Sequence, residues 1–319
     1  MNTELLISGA DGKSAFMPLV EKIEWVTEVS GSPGKLICSV LWDKSLEISE
    51  GVPVRVKIDG KNVFFGYVFS AEKSVNGTVR LVCYDQIRYL LNKDTYIYES
   101  KTASQLIRLI AEDFSLKTGT VEDSGYVIPY RIEENSTLLD MIENALSLTY
   151  RNSGKRFVLF DDFGAISLKS ISSMYGGNKC LLLDGQSAEE LIYSSSVDRG
   201  AYNTVKLFYN DRKSGKRDIY TAQSRENVQK WGVLQYTEGL KAGENGQVKA
   251  EEMLKLYNRK KFKVTVKNAF GDLCFRAGCI GAVSLDSRGV NKTAFMLAER
   301  VVHRFSGDGH FMDLALTEL

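Results

Sequence analysis

The sequence is poor in the residues that most often announce chemistry. Its 319 residues include only two histidines, His303 and His310, and four prolines. Five cysteines, Cys38, Cys83, Cys180, Cys274 and Cys279, are odd in number and scattered, which argues against a disulfide framework. No run approaches the roughly 18 apolar residues of a membrane-spanning helix, so no direct membrane insertion is expected. Residues 1–7 lack the basic start and long apolar stretch of a signal peptide, so the chain is expected to form in the cytoplasm. An excess of one charge is also missing: 41 Lys and Arg against 40 Asp and Glu leave a net +1. Proteins that hold nucleic acid through its phosphates carry a basic surplus, so no specific nucleic-acid binding is expected. With 10% aromatics and no low-complexity tract, the chain does not read as disordered.

What is present is alternation. Val54, Val56 and Ile58 interleave with Arg55 and Lys57, giving one apolar and one wet face. An Asp59-Gly60 turn leads into residues 63–69, and an Asn76-Gly77 turn leads into Val79, Leu81 and Cys83. Residues 36–42, ending at Trp42, supply a further strand, and Cys38 and Cys83 read as small core residues. The pattern changes near residue 101. Thr102-Ala103-Ser104-Gln105 has the form of a capping box, and Leu106, Ile107, Ile110 and Phe114 follow at helical spacing. A second helix is expected from Ser136 or Thr137, with Leu138, Leu139, Ile142, Ala145 and Leu146 on one side. Residues 157–160 and 165–168 then form a hairpin about Asp161-Asp162-Phe163-Gly164.

Strands return at Thr204, with Val205, Leu207 and Tyr209 on one face and a charged loop over 211–217. One helix, roughly 247–257, precedes the alternating Phe262, Val264 and Val266. The end of the chain repeats the layout of residues 52–84: a strand over 281–286, a turn at Gly289-Val290-Asn291, a long strand over 295–305, a turn at Gly307-Asp308-Gly309, and a return over 311–316. Fold class is therefore mainly β with an α+β insertion, divided into 1–95, a middle module over 96–192, and 193–319.

Candidate chemistry is sparse. His303 and His310 fall on strands joined by one turn and can meet; a metal would need a third ligand such as Glu299 or Asp313. Cys274 and Cys279 have no second pair to complete a zinc site. Asp161 and Asp162, or Glu133 and Glu134, are the clustered carboxylates a glycosidase would need, but neighbours in a turn read more simply as a solvated loop. Asp11-Gly12-Lys13-Ser14 lacks the earlier glycine of a phosphate loop, and no Gly-x-Ser-x-Gly elbow occurs. No catalytic, cofactor or metal residue is assigned, and no cofactor is expected.

Residues 247–260, 264–272 and Arg276-Ala277-Gly278 resemble the hub proteins of contractile phage tails. The likeness is to the XkdQ-type hubs of PBSX-like prophages and R-type bacteriocins, related to the late control D-like hubs. His303-Arg304-Phe305, residues 310–314, residues 131–135 and Asp161–Gly164 share in it. The resemblance implies two tube-like β-barrel domains beside the middle module, in a homotrimer at the centre of a tail baseplate. It implies as partners a tail tube protein, a central spike protein, a LysM-bearing baseplate protein and a tape measure protein. The role implied is structural, not enzymatic. With the sequence ending at Leu319, directly after its last predicted strand, no lytic domain is expected. A tail-associated peptidoglycan hydrolase is the alternative, and a carbohydrate- or surface-binding β-protein the third reading.

Overall fold

The computed structural model describes the chain apart from residues 10–13, 42–47, 176–180, 185, 199, 211–214, 241–243, 288–289 and 308. Asp11, Gly12, Lys13, Trp42, Cys180, residues 211–214, Gly289 and Asp308, used in the sequence reading, therefore lie outside the described residues. The chain divides into two compact units. One holds Met1–Leu191 with Thr265–Thr317; the other holds Ile192–Val264.

The first unit begins with seven strands: β1 (Thr3–Ser8), β2 (Ala15–Phe16), β3 (Val20–Glu28), β4 (Lys35–Leu41), β5 (Pro53–Ile58), β6 (Lys61–Lys73) and β7 (Thr78–Tyr84). The alternation is realised as expected. Val54, Val56 and Ile58 are buried with Leu36, Cys38, Val79, Leu81 and Cys83, while Arg55 is exposed. Asp59 and Gly60 both take positive φ, 47° and 74°, the backbone that joins Ile58 to Lys61 in a two-residue hairpin.

The middle module is entered earlier than the helical spacing at Thr102 marks. A 3-10 helix (Gln86–Leu91) and β8 (Lys93–Thr102) precede α1 (Ala103–Asp113), β9 (Thr118–Val121), β10 (Val127–Thr137), α2 (Leu138–Ser153), β11 (Phe157–Asp161) and β12 (Ile166–Ser170). Because β8 is itself a strand, period-two spacing runs on across the boundary and hides it. Ile87, Leu90 and Tyr98 pack with Leu106, Ile110, Leu138, Met141, Ile142 and Leu168 in a core separate from that of the first strands. The capping box is complete: Gln105 N–H donates to Thr102 Oγ1 at 3.3 Å and Thr102 N–H to Gln105 Oε1 at 2.9 Å. Thr137 caps α2, and Gly154 ends it in the left-handed region.

A short helix, α3 (Ile171–Tyr175), leads to β13 (Leu181–Leu183) and β14 (Glu190–Ser196). The second unit then holds β15 (Thr204–Asn210), β16 (Arg217–Gln223), α4 (Arg225–Trp231), β17 (Gln235–Gly239) and α5 (Gly246–Tyr257). Its strands order β16-β15-β17 around a small core of Val205, Leu207, Ala222 and Ala250. Helix α4 was not anticipated, because none of its residues is buried and no apolar period betrays it. The chain returns to the first unit along β18 (Lys261–Phe270), followed by β19 (Ile280–Ser287), β20 (Val290–Ser306) and β21 (Gly309–Glu318).

The early and late strands do not form two independent sheets. β20 pairs antiparallel with β3, Arg300 opposite Glu28 and Phe305 opposite Ile23, so one sheet of thirteen strands runs through both. Within it the order β3-β4-β7-β6-β5-β1 is matched by β14-β18-β21-β20-β19-β13. The strand–turn–strand repeat read from the sequence thus extends to six strands. One pairing differs: β1 meets β5 antiparallel, and β13 meets β19 parallel.

Val56→Asp places an unpaired charge among fully enclosed side chains and is expected to cost on the order of 4 kcal/mol. Lys57→Asp on the opposite face should cost far less, and Thr102→Ala about 1 kcal/mol. Urea unfolding midpoints of the three variants check the ranking.

Candidate functional site

A buried polar cluster of the first unit gathers where its three stretches of chain meet. Asp85 ends β7 and caps the 3-10 helix, accepting N–H from Ile87 at 3.0 Å and from Gly34 at 2.9 Å. Gly34 lies so close that a Cβ there would collide with the Asp85 carboxylate. Gln86 donates its amide to the Gly164 carbonyl and accepts Lys117 N–H at 3.1 Å, tying the 3-10 helix to the hairpin turn. In that turn Asp161 Oδ1 accepts Gly164 N–H at 2.6 Å. Gly164 has φ 90°, and a Cβ there would meet the Phe65 ring at 2.7 Å.

Arg276 enters this cluster from the late strands. Its Nη1 donates to the Asp161 carbonyl at 3.0 Å, and its guanidinium lies 4.3 Å from the Phe160 ring centre and 5.8 Å from that of Trp25. Part of the residue reaches the surface, but Nε is enclosed with no hydrogen-bond partner among the described residues. Burial pushes both the Asp85 and Asp161 carboxyls up from their ordinary range, and the Arg276 charge pulls both back. The segment around Arg276 is pinned at every residue: Ala277 N–H to Thr27 Oγ1 at 3.0 Å, Gly278 N–H to the Ala298 carbonyl at 2.9 Å, and the Phe275 carbonyl to His303 at 2.8 Å.

The two histidines do meet. His303 Nδ1 lies 2.9 Å from His310 Nε2, and the Phe275 carbonyl accepts from His303 Nε2. A carbonyl only accepts, so neutral His303 carries its proton on Nε2, and His310 donates to its Nδ1. Both ring nitrogens of His303 are thereby occupied, which leaves none for a metal. Burial lowers the His303 pKa to about 3, and burial also lowers that of His310. Trp25 stacks on His303 at 4.8 Å and Phe305 on His310 at 4.4 Å. Asp313, weighed as a third ligand, is held by Arg304, with Nη2–Oδ1 at 2.7 Å, and by Asn268 N–H.

The carboxylate pairs come apart. Asp161 is buried in the turn while Asp162 is exposed, so only the second is a solvated loop residue. Glu133 is buried against Arg131 Nε at 2.7 Å, and Glu134 is exposed on the other face of β10. Neither pair presents an acid and a base to one cleft. Cys38 and Cys83 are buried free thiols; a hydrogen bond to Cys38 and then burial hold the Cys83 pKa well above its ordinary value. Arg217, at the foot of the charged loop, packs 5.0 Å from the Phe208 ring centre. Asp85, Gln86 and Arg276 were missed as a cluster. Their only sequence signal was Arg276-Ala277-Gly278 within the family resemblance.

The YQBQ-like family model matches residues 23–317. The chain belongs to the YQBQ-like family. The phage-like element PBSX protein XkdQ of Bacillus subtilis is 30% identical over 276 residues, covering 85% of this chain and 82% of that protein. The 43 kDa tail protein of prophage MuSo2 from Shewanella oneidensis has the same fold, with TM-score 0.70 at 14% identity over 99% of this chain and 97% of that one. A tail protein from Neisseria meningitidis MC58 superimposes with TM-score 0.71 at 12% identity, over 100% of this chain and 97% of that one. The mainly β fold is therefore the fold of these two tail proteins.

Arg276→Met leaves two buried carboxyls without their counter-charge and should cost about 3–5 kcal/mol near neutral pH. Those carboxyls then protonate more readily folded than unfolded, so the loss should shrink as pH falls from 8 to 5. His303 has the opposite sign. Its folded pKa lies below the unfolded value, so its stability is present above about pH 6.5 and drains away as pH falls toward 3. Compared with His303→Gln, the wild type should lose about 3 kcal/mol more between pH 7 and pH 4. Chemical denaturation across pH checks both signs.

Proposed function

We propose that the protein is the structural hub of a contractile tail baseplate: a homotrimeric adaptor joining a six-fold tail tube protein to a three-fold central spike protein. The observation that carries this reading is the six-strand order present twice in one chain. Three chains carrying two such strand groups each offer six similar positions to a tube and three-fold symmetry to a spike. Residues 1–95 supply one tube-like part and residues 193–319 most of the other, with β13 and the start of β14 added from just before them. The module over 96–192, with its separate core, faces outward to other baseplate components, a LysM-bearing protein among them, and a tape measure protein ends above the ring. The role is geometric, carried by buried interface of the order of 2,000 Å² or more rather than by turnover. Assembly takes place in the bacterial cytoplasm, for a phage or an R-type bacteriocin.

Averaged images of the assembled particle test this. Three copies should fill the ring between tube and spike, each contributing two superimposable six-strand groups. Six copies per ring, or two strand groups that do not superimpose, would overturn it.

A further inference from the structure

Cys274 and Cys279 bracket the residues that carry Arg276 into its cluster, and both are free thiols. Two reverse turns fold this stretch. Phe275 N–H donates to the Asp272 carbonyl at 3.0 Å, and Cys279 N–H donates to the Arg276 carbonyl at 3.0 Å. The chain thereby doubles back, and the Cys279 sulfur lies 3.8 Å from the Cys274 carbonyl oxygen. Asp272 Oδ1 accepts Cys274 N–H at 2.9 Å, which holds that backbone in place while the side chain is exposed. An exposed side chain changes rotamer without displacing a packed neighbour, so the Cys274 sulfur can swing toward its partner. The other two described cysteines differ in access. Cys38 and Cys83 are fully enclosed in the core of the early strands, where no dissolved reagent reaches them.

We propose that Cys274 and Cys279 form a modification site: a low-molecular-weight disulfide oxidises them to an intramolecular bond that ties the Arg276 segment at both ends. The step is a double thiol–disulfide exchange. Exposed Cys274, as thiolate, attacks one sulfur of the external disulfide and displaces the first small thiol. Cys279, as thiolate, then attacks the Cys274 sulfur of the mixed disulfide and displaces the second. Two protein thiols and one external disulfide give one protein disulfide and two small thiols, whose protons are those the cysteines lost. The order follows from access, and burial also pushes the Cys279 thiol up, which suits it to the second, intramolecular attack. The closed ring spans the residues whose backbone bonds to Thr27, Ala298 and His303, so both ends stay in place when those bonds open. A reducing cytoplasm keeps the pair open, and oxidising surroundings close it after release of a particle. That timing rests on the tail reading; the bond itself does not.

The test incubates the folded full-length protein with oxidised glutathione in excess over reduced, then alkylates the remaining thiols and digests with trypsin. Cleavage after Arg276 separates the two cysteines, so the bond shows as peptides 268–276 and 277–288 joined, lighter than their sum by two hydrogens. Two of the five thiols should be lost to alkylation. Amide hydrogen exchange at Ala277 and Gly278 should slow in the oxidised form. Cys279→Ser should stop at a glutathione adduct on Cys274, and Cys274→Ser should give neither adduct nor link; both replace a thiol by a hydroxyl of similar size. A wild type that accumulates the adduct without the link overturns the pairing. So does a link that forms only in urea, or one made to Cys38, Cys83 or Cys180. Unchanged exchange at Ala277 and Gly278 overturns the tie on the segment. Because the isolated chain is used, each of these failures leaves the baseplate reading standing.

Discussion

A single guanidinium sits where the early strands, the middle module and the late strands of the first unit converge. Arg276 is brought in by a segment fixed to Thr27, Ala298 and His303, and it faces carboxyls from two other stretches, Asp85 and Asp161. Taking such charges from water costs about as much as their attraction returns, so the cluster adds little net stability over an apolar core. What it supplies is selectivity among arrangements. Any other docking of the module would leave a buried acid or a buried base alone, at a cost of several kcal/mol. Gly34 and Gly164 belong to the same constraint, since a side chain at either would push the partners apart.

Around that point the molecule separates two kinds of packing. The early strands and the middle module each own an aliphatic core, and Phe305 of the late strands completes the first of them. The second unit relies on a small core and on Tyr202, Tyr236 and Tyr257, whose ring centres lie 5.3–5.7 Å apart. Aromatic rings of this size bury much area with few residues, which suits a unit with little aliphatic interior. Both devices fix geometry: aliphatic cores within the parts, and a polar junction between the stretches of the first unit.

Much of the fold was legible because its signals are local. The alternation through Val54, Val56 and Ile58, the Asp59-Gly60 hairpin and the Thr102–Gln105 cap each depend on residues a few positions apart. The approach of His303 and His310 was legible for the same reason, since one tight turn separates their strands. Helix α4 was not, because an exposed helix with no apolar stripe leaves no period to read. The start of the middle module was blurred because β8 prolongs the strand pattern of the preceding sheet.

By itself the sequence determined most element types, the two meanders and the family, all written in short-range spacing or in runs of identity. Tertiary structure alone decided that β20 docks on β3, that Asp161 turns inward while Asp162 stays wet, and that Arg276 reaches the Asp161 carbonyl. The physical reason is distance along the chain. Partners separated by more than a hundred residues share no period and no motif, and a charged residue in a turn reads as solvated until another stretch of chain closes over it.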